Sequence, residues 1–98
     1  MATVNFKFFR AEIVGGVTAV FGVDAAPPET KTSSGTSQST TFAAQNDETF
    51  VRIVSSGGNV WVTFGESPTA VSGTGTLILD EYPDIFKLRK GDKIAVID

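Results

Sequence analysis

The stretch "FVRIVSSGGNVWVTFG", Phe50 to Gly65, decides how this chain is read. Val51 and Ile53 alternate with Phe50, Arg52 and Val54, and further on Val60, Val62 and Phe64 alternate with Trp61 and Thr63. A period of two is the pattern of a strand with one face toward a core. Between the two runs, Ser56-Gly57-Gly58-Asn59 supplies residues that tolerate positive φ, so the stretch predicts a β-hairpin.

Outward from that pair the same period recurs. Val4, Phe6 and Phe8 form one run, and Val17, Ala19, Phe21 and Val23 another. Short segments rich in Val, Ile, Thr and Phe follow at Thr40 to Ala44, Thr76 to Leu79, Ile85 to Leu88 and Lys93 to Ile97. About eight short strands broken by glycine predict an all-β domain, a small antiparallel sandwich or barrel. Two further hairpins are expected, one around Gly15-Gly16 and one around Lys90-Gly91-Asp92 with Gly91 at positive φ. The Ser/Thr/Pro-rich segment from about 24 to 39 reads as a long surface loop, or as an arm that orders against a partner. Neither half of the chain has strands enough to close a core alone, so residues 1–98 are expected to form one domain.

Composition narrows the function. The 98 residues contain no cysteine and no histidine, which removes disulfides, thiolate or imidazole metal sites, and the usual general base. A noncatalytic protein without cofactor or metal is expected. The formal charge of −3 argues against a nonspecific polyanion binder. The opening residues lack the apolar run of a signal peptide and no segment is long and apolar enough to span a bilayer, so a soluble protein without membrane partner is expected.

Three clusters are candidate sites. Gly73-Thr74-Gly75 has the glycines of a phosphate loop but no helix after it, and is read as a turn. Asp80, Glu81 and Asp84 are close enough to suggest a hard cation or a carboxylate pair, but the ligand order of a calcium loop is missing; a solvated turn shaped by Pro83 is the simpler account. The same acids could meet the basic run Lys87, Arg89, Lys90 and Lys93 on another copy of the chain. That run is the basis of a nucleic-acid reading, which ranks behind a solvated sheet face because few stacking aromatics lie beside it. Phe9, Trp61 and Tyr82 are the candidate interface residues. Trp61 points away from Val60 and Val62, and Phe9 cannot share a face with Phe8 unless a bulge intervenes.

The carboxy-terminal half, "NVWVTFGESPTAVSGTGTLILDEYPDIFKLRKGDKIAVID", resembles small virion proteins of tailed bacteriophages and prophages. The likeness lies in a strand ending in Phe64-Gly65, a Pro68-Thr69-Ala70 turn, a glycine-containing loop and the closing Gly91 to Ile97, and it covers roughly residues 50 to 98. It implies a β-sandwich of jelly-roll type that self-associates and stabilises or decorates the head, with a phage capsid protein as partner, in the virion or the host cytoplasm. No catalytic residues come with it. The alternative is an Sm-like small barrel, a ring-forming RNA-binding protein, in which Lys87, Arg89, Lys90 and Lys93 would meet RNA; that family's Asp- and Asn-bearing loop and Arg-Gly turn are not found here.

Overall fold

The computed structural model describes residues 1–10, 12–14, 17–19 and 25–98, the two short inner segments at the level of their strand pairing. The strands are β1 (Thr3–Arg10), β2 (Glu12–Val14), β3 (Val17–Ala19), β4 (Glu29–Thr32), β5 (Gln38–Ser39), β6 (Thr49–Ser56), β7 (Val60–Gly65), β8 (Thr76–Ile78), β9 (Asp84–Lys87) and β10 (Lys93–Ile97). No helix occurs among the described residues, so none is long and apolar enough to cross a membrane.

Two four-stranded sheets face each other, β4-β1-β6-β9 and β5-β10-β7-β8, and β2 pairs with β3 apart from both. All pairings within the sheets are antiparallel. From β4 onward the chain crosses between sheets at every connection but one, the step from β7 to β8. This is the strand order of a jelly roll in which β1 occupies the place of the strand that ordinarily comes last. The expected all-β sandwich is therefore present, and the two separate sheets exclude the barrel alternative.

The alternation in the sequence predicts the core correctly. Val4, Phe6 and Phe8 of β1, Val51 and Ile53 of β6, Val60 and Val62 of β7, and Ile94 and Val96 of β10 meet between the sheets. Phe42 joins them from the loop after β5, its ring centroid 4.7 Å from that of Phe8. Buried hydroxyls are spent on fixed partners: Thr49 donates to Asn46, Ser55 to the Gly58 carbonyl, and Thr40 Oγ1 accepts from Ile94 N–H. Ser33, also buried, donates to Asp98 and accepts from Ala2 N–H.

The pairing expectations need correction. β6 and β7 are not a hairpin, because β6 bonds to β1 and β9 while β7 bonds to β10 and β8. Ser56 to Asn59 is an arch that carries the chain from one sheet to the other. Lys90-Gly91-Asp92 is likewise an arch between β9 and β10. Gly57 and Gly91 do take positive φ, 97° and 89°, but a tight crossing demands that of glycine as much as a hairpin does. The hairpin expected around Gly15-Gly16 does pair, with Val14 opposite Val17; the two glycines, Phe21 and Val23 lie outside the described residues.

The segment from 24 to 39 is more than a loop. It contributes one edge strand to each sheet, β4 against β1 and β5 against β10. Thr40 to Ala44, expected as a strand, follows β5 as a crossing segment instead. Since Val4 and Phe6 face the core, their partners Lys31 and Glu29 also turn inward. The Glu29 carboxylate accepts hydrogen bonds from Thr41 N–H and Phe42 N–H, both 2.8 Å, and so ties this edge of the first sheet to the crossing segment. Glu29→Ala leaves both donors unpaired and is expected to cost about 2 kcal/mol. Urea unfolding would show it as a lowered midpoint at unchanged slope; an unaltered midpoint would mean that water replaces the carboxylate without loss.

Candidate interaction surface at the β8 and β9 edge

β8 and β9 are the outer strands of the two sheets on the same side of the sandwich. Along β8, Ile78 is buried, so the period of two turns Leu77 and Leu79 outward. Along β9, Phe86 packs on Phe64 of the facing sheet, with ring centroids 5.2 Å apart, and Ile85 and Lys87 face out. Apart from Met1, the large exposed apolar side chains outside residues 11–24 all fall between 71 and 85: Val71, Leu77, Leu79, Tyr82 and Ile85. At the opposite edge β4 carries inward-turned charges. Inward charges discourage strand addition at an edge, and β9 carries one, Asp84, at its start.

Tyr82, 61% exposed, is held by a tight turn. Its N–H donates to the Leu79 carbonyl at 3.2 Å, and Glu81 N–H donates to the Ser55 carbonyl at 2.7 Å. Asp80 N–H donates to Asn59 Oδ1 at 2.8 Å, while Asp80 Oδ1 accepts from Gly57 N–H at 2.9 Å. Glu81 adopts φ 58°, the left-handed conformation that side chains rarely take. Such strain persists where surrounding bonds over-determine it, and it gathers at functional positions.

At the far end of β9 lies a cleft of about 430 Å³ lined by Phe64, Gly65, Phe86, Lys87, Arg89 and Asp92. The side chain of Asp92 is turned back to the Arg89 N–H at 2.9 Å. Leu88 is buried between the exposed Lys87 and Arg89, as alternation predicts. Lys90 is held through its N–H by Asp47, and Lys93 starts β10 in the other sheet. Lys87 and Arg89 share the lining of that cleft, and Lys93 pairs with Gly65, which also lines it.

The three candidate interface residues have separate fates. Tyr82 stands free at the surface. Phe9 is 2% exposed and stacks on Phe50 at 5.7 Å between ring centroids, so it belongs to the packing of the chain itself rather than to a surface open to a partner. Trp61 lies half-buried on the outer face of the second sheet, against Ala70, Ala95 and Ile97. Ala70 comes from the long β7–β8 connection, which is fastened there by Ala70 N–H to Ser37 Oγ and by Ser39 Oγ to the Pro68 carbonyl. That small second core, invisible as such in the sequence, is what Trp61 packs against. Asp80, Glu81 and Asp84 do not converge: no group of three acidic side chains among the described residues is placed to hold a metal ion. Leu79 and Ile85 were missed as surface residues, although three successive apolar residues, Leu77 to Leu79, in a strand of period two already required some to face out.

Comparison with protein-family models found no match, and comparisons with curated proteins and with solved structures likewise found none.

Proposed function

We propose that the chain is a noncatalytic virion protein of a tailed bacteriophage or prophage, which self-associates and stabilises or decorates the head. The observation that carries this reading is the gathering of exposed apolar side chains on one edge of the sandwich, around an immobilised Tyr82. Apolar side chains left exposed along one edge, where a partner could cover them together, support association. The jelly-roll strand order supports it by analogy, since viral capsid domains use that architecture, and so does the phage-like pattern of residues 50 to 98.

The test is quantitative mass spectrometry on purified particles encoded by the genome that carries the gene. The chain should be present at a copy number proportional to that of the major capsid protein. Particles that lack it would remove the virion role.

A further inference from the structure

We propose that the Tyr82 turn of one copy docks into the Phe64–Phe86 cleft of the next, so that copies join head to tail through an acidic aromatic tip and a basic aromatic socket. The proposal deepens the self-associating reading above and rests on it.

Charge selects the occupant. From Leu77 to Phe86 the chain carries Asp80, Glu81 and Asp84 and no lysine or arginine. The cleft is lined by two cations, Lys87 and Arg89, both exposed, against one acid, Asp92. An acidic tip and a basic socket on the same molecule are complementary only between copies, because they lie at opposite ends of β9. The tip abuts Ser55 and the socket abuts Phe50, which pairs with Lys87; these positions on β6 are roughly 17 Å apart at the usual rise of a strand.

Shape and rigidity agree with charge. The cleft is floored by two phenylalanine rings, one from each sheet, and its volume of about 430 Å³ admits a phenol ring. Lys87 and Arg89 at its mouth can lie over an inserted ring, an arrangement that cations and aromatic faces favour. Tyrosine is enriched among the residues that dominate interfaces. Because four hydrogen bonds already fix the turn, little freedom is lost on docking. Made head to tail, the contact is heterologous and propagates to a ring or a filament; made reciprocally, each tip in the other's socket, it closes a two-fold dimer.

The experiment is sedimentation velocity of the full chain over a wide concentration range, with Tyr82→Ala as the tip variant and Lys87→Glu/Arg89→Glu as the socket variant. All these positions are exposed, and circular dichroism verifies folding. The parent should associate, to a dimer or beyond, more weakly as salt rises. Each variant alone should weaken association by roughly thirtyfold, the scale of an interface hot spot. Mixing the two should give a capped one-to-one dimer, since one intact tip and one intact socket remain. A tip variant that assembles like the parent would overturn this contact and leave self-association standing. A parent that stays monomeric throughout would overturn self-association itself, and the contact with it.

Discussion

Phe8→Ala is expected to destabilise the chain by about 3–5 kcal/mol, the range for truncating a buried phenylalanine. Phe8 is fully buried on β1, a central strand of its sheet, and its ring is tilted at 55° against Phe42 from the crossing segment. Removal of the ring opens space that β-strands on either side cannot close without breaking their ladders. Domains of this size have about 5–15 kcal/mol in total, so the variant stands at the edge of folding. Thermal or urea denaturation would measure the loss, with Tyr82→Ala as the contrast, expected within about 0.5 kcal/mol of the parent because it is exposed. A Phe8→Ala loss below 1 kcal/mol would mean that Phe42 moves in to fill the space.

Gly75→Ala is expected to cost about 3 kcal/mol, from two separate causes. Gly75 sits at φ 99°, where a Cβ is unfavourable by about 1–2 kcal/mol. That Cβ would also stand 2.6 Å from the Val62 carbonyl oxygen, a backbone atom held in the β7–β8 pairing. Gly73→Ala separates the two. Gly73 has φ 82° but nothing within 4 Å of its Cβ position, so it should lose about 1–2 kcal/mol only. The melting temperature should fall by about 4–8 °C per kcal/mol, far enough to resolve the pair. Equal losses in the two variants would show that the β7–β8 connection yields to the added methyl. The glycines that resemble a phosphate loop thus have a steric purpose at Gly75, where β8 draws close to β7.

Strand existence was legible in the sequence, because alternation at Val4 to Phe8, Phe50 to Val54 and Val60 to Phe64 is a local property of the chain. Strand partnership was not. A glycine at positive φ after an apolar run serves a hairpin and an arch equally, and only the facing sheet decides between them. At Ser56 to Asn59 the decision is made by remote groups, Asp80 on the Gly57 N–H and Asn59 on the Asp80 N–H. The edge strands β4 and β5 escaped notice because their inward residues include Glu29 and Lys31, which no hydrophobic pattern would assign to a core side. At the surface, Tyr82 could be singled out from sequence, since its surroundings are acidic and proline-bound. The socket could not, because Phe64 and Phe86 are 22 positions apart in the chain and meet only through the packing of two sheets.

The order of strands in the second sheet also dictates when that sheet can exist. β10 lies between β5 and β7, yet Lys93–Ile97 follows both in the chain. During synthesis, β5 and β7 emerge with no bonding partner between them and must wait for residues made more than 25 positions after β7 has ended. Folding that depends on closing such long separations is slow compared with hairpin-built sheets, and unpaired strands are sticky while they wait. If copies join through the proposed socket, assembly would begin only once β10 has gone in, because Phe64 belongs to a strand that β10 holds in place. On the proposed contact, nascent or partly folded copies would thereby be kept out of an assembly.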